Sequence, residues 1–203
     1  MDRRHFLGFG TLLVAACTRR AAGRDAAVPQ RVRAPTPQIA DEHDAPSCDD
    51  ATAANIEGPF YKPGAPHRAV LADATEPGER FVVSGIIRST DCKPIPGAEM
   101  EIWQANARGG YDLEGFHLRG ALASDARGRW ELRTIVPGRY LNGDRYRPAH
   151  LHIKLRAPGH RSLTTQLYFA GDPYNAGDPF IVSSLIMQPS DGRAKFDFTL
   201  ATI

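Results

Sequence analysis

Long apolar runs are scarce in this 203-residue chain, and the most prominent, Phe9 to Ala16, is well short of the roughly 20 residues that a membrane-spanning helix needs. Blocks of like charge are missing too, as is any stripe of basic residues interleaved with aromatics, so nucleic acid is not an expected partner. The formal charge of +2 arises at the start of the chain: seven arginines face two aspartates within the first 34 residues, and the remainder carries −3. There is no internal repeat and no long stretch with the 3.6-residue periodicity of an amphipathic helix, which argues against a helical architecture. Cysteines number only three, Cys17, Cys48 and Cys92. The length suits one domain with a substantial core plus a tail.

What stands at the N-terminus reads as an address rather than as structure. Arg3-Arg4-His5-Phe6-Leu7 sets paired arginines before the short apolar run and resembles a twin-arginine export signal, the route of proteins that fold and collect a cofactor before export. Leu13-Val14-Ala15-Ala16-Cys17 resembles a lipobox, in which cleavage ahead of the cysteine leaves it lipidated; an ordinary small-residue cleavage site is the alternative. Residues 1–17 are therefore expected to be an export signal, with a lipid anchor at Cys17 as the one link to a membrane. Residues 18–47 read as a flexible tether, rich in Arg, Ala, Pro and Asp, that cannot bury enough surface to offset its ordering entropy. Residues 48–203 are expected to form the folded domain, and the protein to be periplasmic or anchored at the cell envelope. In such an oxidising compartment Cys48 and Cys92 are candidates for a bridge, with two buried thiols as the alternative.

From Cys48 onward, short alternating or β-branched runs are separated by Gly, Pro, Asp and Asn. Phe81 to Ile87, Ala98 to Trp103, Trp130 to Ile135, Leu151 to Leu155, Leu163 to Phe169, Ile181 to Met187 and Lys195 to Leu200 all fit strands. About seven strands at this spacing predict an all-β fold, an antiparallel β-sandwich with long functional loops, since a parallel sheet would require crossover helices. Asp125 to Gly128 is expected to turn like a hairpin, and Asp172 to Phe180, with two prolines and one glycine, to be a long surface loop.

The most informative local pattern is Arg147-Pro148-Ala149-His150-Leu151-His152-Ile153-Lys154-Leu155. On a strand, Leu151, Ile153 and Leu155 point one way, and His150 and His152 point the other, about 7 Å apart and able to converge on one metal ion. A pair of core-satisfied or exposed histidines fits the same spacing. Other signals flank it in order: Glu57-Gly58-Pro59-Phe60-Tyr61, Ile102-Trp103-Gln104-Ala105, Gly110-Tyr111-Asp112, Leu118-Arg119-Gly120, Val136-Pro137-Gly138-Arg139-Tyr140 and Thr165-Gln166-Leu167-Tyr168-Phe169.

Together these segments resemble the intradiol dioxygenase family, which includes protocatechuate 3,4-dioxygenases and catechol 1,2-dioxygenases, over roughly Cys48 to Phe198. The resemblance implies a non-haem iron(III) ion, one per chain, held by two tyrosinates and two histidines, which map to Tyr111, Tyr140, His150 and His152. Tyr146 competes with Tyr140, which is preferred because it follows the Pro137-Gly138 turn. The ten-residue interval from Tyr140 to His150 is shorter than in well-known members. Arg147 takes the place of an arginine beside the substrate ring, where a fixed cation stabilises developing negative charge; an ordinary surface ion pair is the alternative. Gln166 matches a glutamine behind the ligands, or else is a satisfied core amide. Trp103 and Trp130 are assigned to the core, and Tyr61, Tyr168 and Tyr174 to packing, as amphipathic strand and loop tyrosines usually are.

The implied substrates are a small aromatic diol and O2. By the same resemblance the diol would bind as a dianion, with Tyr140 among the groups that take up its protons, and the ring would open between the hydroxylated carbons to a cis,cis-muconate-type diacid. Two other readings stay open: an exported binding module that has lost catalysis, and a zinc hydrolase using His150 and His152 with a carboxylate. Neither the particular diol nor whether the chain forms a homo-oligomer is written in these motifs.

Overall fold

A computed structural model describes Cys48 and residues 50–203. The export signal and lipid anchor expected over residues 1–17 and the tether over residues 18–47 lie outside the described residues.

Eleven strands follow one another among these residues: β1 (Arg80–Ser89), β2 (Glu99–Gln104), β3 (Arg119–Ala123), β4 (Arg129–Ile135), β5 (Tyr140–Asn142), β6 (Arg145–Arg147), β7 (His150–Arg156), β8 (Leu163–Phe169), β9 (Ile186–Met187), β10 (Arg193–Lys195) and β11 (Phe198–Leu200). One sheet has the order β3-β2-β7-β8-β9; in the other, β1 is flanked by β4 on one side and by β10 and then β11 on the other. The fold is an all-β sandwich. Its long pairings, β1 with β4 and β2 and β8 with β7, are antiparallel, while β10 and β11 on β1 and β9 on β8 are short parallel additions.

Strand periodicity dictates the core. Phe81, Val83 and Ile87 of β1, Trp130 and Leu132 of β4 and Phe198 of β11 face Met100 and Ile102 of β2 and Leu151, Ile153 and Leu155 of β7, all of them buried. Each such side chain contributes about 1.5–3 kcal/mol by leaving water. With these residues turned inward, the alternate residues of β2, β7 and β8 must cover the outer face of the five-stranded sheet, and the functional groups stand there.

Four expectations need correction. Asp125 to Gly128 does turn, Asp125 Oδ1 accepting the amides of Arg127 and Arg129 at 2.8 Å. It joins β3 to β4, however, and these lie in different sheets, so it is no hairpin. The run Ile181 to Met187 is a 3-10 turn over Ser183–Leu185 with only two strand residues after it. The run Lys195 to Leu200 breaks into β10 and β11, because the Asp197 side chain takes the Ile86 amide at 2.8 Å and also the Arg88 guanidinium, in place of a ladder bond. Finally, 172–180 is not simply a surface loop: Asp172 and Asp178 are buried within it. The chain also makes a Cys48–Cys92 disulfide, Cα–Cα 5.3 Å, tying the start of the domain to the loop after β1.

Candidate active site

Two glycine-containing turns bring the two candidate tyrosines together. The carbonyl of Asn106 accepts the amides of Gly109 (3.0 Å) and Gly138 (2.9 Å), and its side-chain Oδ1 accepts those of Arg108 and Gly110. The two backbones cross so closely that a Cβ on Gly109 would stand 2.2 Å from Arg139 O, and one on Gly138 would stand 2.4 Å from Gly109 N. Only glycine permits that approach. The crossing aims Tyr111 and Tyr140 at each other, ring centroids 5.7 Å apart and nearly perpendicular.

Both rings lie against the histidines of β7. His150 and His152, each buried, have centroids 4.8 Å apart. Tyr111 Oη sits 3.3 Å from His150 Nε2 and 3.1 Å from His152 Nε2, and the Tyr140 ring is 5.8 Å from that of His150. His150 Nδ1 donates to Pro148 O at 2.7 Å, which leaves Nε2 as the bare, lone-pair nitrogen facing the cluster. Tyr146 is elsewhere: it pairs with Leu141 on the far side of the β5–β6 hairpin, half exposed, against Tyr174. The structure thus brings Tyr111, Tyr140, His150 and His152 together and leaves Tyr146 out.

Burial sets the protonation states. It lowers His150 to about 4, helped by the charge of Arg147, and lowers His152 well below the usual imidazole range, helped by His150 and Arg147. Both imidazoles are therefore neutral donors. Burial, and then Tyr140, push the Tyr111 hydroxyl up, with Arg147 and Arg119 opposing. An isolated phenolate is disfavoured there unless a cation compensates it.

Arg147 lies across the hairpin register from Tyr140. It is buried, which overturns the surface-ion-pair alternative. Its Nε donates to Asp178 Oδ2 at 2.7 Å, and its Nη2 to Gln166 Oε1 (3.1 Å) and Tyr168 Oη (3.2 Å). Burial works against the charge, but Asp178 and then Tyr140 hold the guanidinium above its ordinary pKa. Gln166, opposite His152 on β8, is fully enclosed and satisfied, since its Nε2 donates to Ile56 O at 2.8 Å. Asp178 was invisible in the sequence because it sits in a Gly- and Pro-rich loop without periodicity. Tyr168, assigned to packing, also joins this network, and burial pushes its hydroxyl up to about 12.

Trp103 is buried but lies outside the core between the sheets. Because Ile102 faces inward, Trp103 must face outward, where it stacks on His152 with centroids 4.7 Å apart and planes 8° apart. Trp130 is in the core as expected. Phe60 covers the cluster from the other side, stacked on Tyr111 at 4.2 Å. Gly58 lies against His152, and a Cβ there would be 3.2 Å from Cε1. Among the described residues no group of three or more His, Cys, Asp or Glu is placed to hold a metal ion. The donors gathered here are imidazoles and phenols, and the zinc-hydrolase reading lacks its carboxylate.

A family model described as Dioxygenase, the Dioxygenase_C family, matches residues 56–198. The chain belongs to this dioxygenase family. Among curated proteins it is 37% identical over 155 residues to a catechol 1,2-dioxygenase of Acinetobacter baylyi, covering 64% of this chain and 50% of that protein. It is 37% identical over 177 residues to a 6-chlorohydroxyquinol 1,2-dioxygenase of Cupriavidus pinatubonensis, covering 73% and 64%. Among solved structures, the dioxygenase domain of a dioxygenase carbohydrate-binding protein fusion from Streptomyces sp. SirexAA-E superposes with a TM-score of 0.71 at 40% identity, covering 76% of this chain and all of that one. This family member spans about half the length of the catechol dioxygenases it matches. Every site residue named above falls within the matched segment.

Proposed function

We propose that the chain is an exported non-haem iron(III) dioxygenase that opens a catechol-type ring between its two hydroxylated carbons, with O2 as co-substrate and a cis,cis-muconate-type diacid as product. The observation that carries this reading is the convergence of two neutral imidazoles and two phenols in a chain of this family. Relatives named as catechol and hydroxyquinol 1,2-dioxygenases support diol cleavage as the reaction class.

The donor set fits iron(III). Phenolate is a hard anionic ligand suited to the ferric state, and the engaged Nδ1 of His150 directs its Nε2 into the cluster. Tyr111, Tyr140, His150 and His152 would hold one ion per chain, which when bound supplies the Lewis acidity and redox chemistry that a diol needs to react with O2. The protein's own residues do the remaining work. Tyr140, less enclosed than the histidines, takes up a diol proton at Oη. Arg147 stabilises negative charge developing on the ring, and because Asp178, Gln166 and Tyr168 already fix its orientation, little reorganisation is required during reaction. Phe60 and Trp103 wall the cluster against water. The export signal over residues 1–17, the anchor at Cys17 and the tether over residues 18–47 belong to the same proposal and rest on sequence pattern.

The test is oxygen uptake by iron-loaded protein against catechol, hydroxyquinol, protocatechuate and larger diols, with the ring-opened product identified. A coloured protein that consumes O2 and releases a diacid is expected. A colourless, zinc-loaded protein indifferent to every diol would refute the assignment and favour the binding-module reading.

A further inference from the structure

The segment from Tyr111 to Leu118, ahead of β3, contains no regular secondary structure, so its position depends on side chains. Three cations donate to its main-chain carbonyls. Lys62 reaches Glu114 and Gly115, Arg68 reaches Phe116 and, just beyond the segment, Arg119, and the Arg119 side chain reaches back to Asp112. The Asp112 carboxylate meanwhile caps the amides of Glu114, Gly115 and His117. Lys62 and Arg68 are half-buried, but Arg119 is 2% exposed.

A buried guanidinium normally sits against a carboxylate, because an unpaired buried charge is costly. Among the described residues no carboxylate lies within ion-pair distance of Arg119, and its donors go to backbone oxygens instead. Nε and Nη2 grip the single carbonyl of Asp112 at 3.1 and 2.7 Å, and Nη1 holds the carbonyl of Phe60 at 2.7 Å. Those two carbonyls belong to the residue after Tyr111 and to the residue whose ring stacks on Tyr111. A planar fork can hold both carbonyls at once, which the point-like ammonium of lysine cannot.

We propose that Arg119 is a positioning residue that sets where the Tyr111 phenol oxygen stands relative to His150 and His152, by clamping the Phe60 and Asp112 carbonyls around the Tyr111 ring. The inference rests on the function proposed above, in which Tyr111 is a metal ligand. Outer groups that orient a ligand typically change metal affinity by about 10- to 100-fold when removed.

The experiment measures iron(III) affinity and the visible tyrosinate band in the full-length parent, Arg119→Lys, Arg119→Met and a destabilised control, Leu132→Ala, whose buried side chain lies on β4 away from the site. All are read well below their melting temperatures. Both Arg119 variants are expected to lose at least tenfold in affinity and to shift the band, while the control keeps the parent values. Arg119→Lys matching the parent in affinity and band overturns the clamp. Leu132→Ala losing iron as severely overturns it too, because general destabilisation then explains the loss. A parent that takes up no iron fails at the first step and overturns the proposed function itself.

Discussion

Asp178→Ala removes the carboxylate that receives Arg147 Nε at 2.7 Å and Nη2 at 3.4 Å, in a pair whose side chains are 4% and 0% exposed. Gln166 Oε1 and Tyr168 Oη remain as acceptors, but both are neutral, so the guanidinium would stay buried without a counter-ion. Losing one partner of such a pair costs about 3–5 kcal/mol, which for a chain of this size lowers the melting temperature by on the order of 10 °C. Arg147→Met combined with Asp178→Ala removes both charges and should recover most of the loss, giving a coupling of about 3 kcal/mol around the cycle. Circular dichroism melts of the four proteins at one pH measure this directly. A single Asp178→Ala variant within about 1 kcal/mol of the parent, or a cycle without coupling, would refute the buried-pair reasoning. Ring cleavage should follow the same geometry. Arg147→Ala loses roughly a hundredfold in turnover, Arg147→Lys recovers part of that, and Asp178→Ala falls between the parent and Arg147→Ala with iron retained.

Tyr140→Phe should change the visible spectrum of the iron-loaded protein and slow turnover strongly, whereas Tyr146→Phe, on the exposed face of the hairpin, should leave the colour intact; the reverse pattern would move the ligand to Tyr146. In the metal-free protein, His150 has its pKa lowered to about 4 by burial, so the unfolded chain takes up a proton that the folded one refuses. The stability this group contributes is complete above about pH 6.5 and falls by about 1.4 kcal/mol per unit between there and pH 4. Urea midpoints at pH 7.5, 5.5 and 4.5 test this, and a flat profile in the parent would contradict it. Replacing Cys48 and Cys92 by serine opens a loop of 44 residues and should cost about 3–4 kcal/mol on the chain-entropy account, read as a lower midpoint in chemical denaturation; an unchanged midpoint would show that the loop is held by its other contacts.

Much of the fold was legible because its causes are local. The inward residues of β1, β2, β4, β7 and β8 alternate in the sequence as they do in the sandwich, and His150-Leu151-His152 needed only strand geometry to put both imidazoles on one face. Strand breaks were not legible, since the split between β10 and β11 depends on Asp197 meeting a backbone amide 111 residues away. Trp103 was misplaced for a related reason: hydrophobicity alone does not say which side of a sheet a buried aromatic occupies when both sides are covered.

The sequence by itself determined the all-β class, the His-x-His face and, through the family resemblance of the segments around them, that Tyr111 and Tyr140 were the tyrosines to consider. The tertiary structure decided that the backbones of Gly109 and Gly138 cross so that both rings meet the histidines. It also decided that Arg147 is locked by Asp178 and that the Arg119 guanidinium grips the carbonyls of Phe60 and Asp112. The physical reason is range: side-chain alternation acts between neighbours in sequence, whereas the packing and charge compensation that orient a ligand act between residues that only folding makes neighbours.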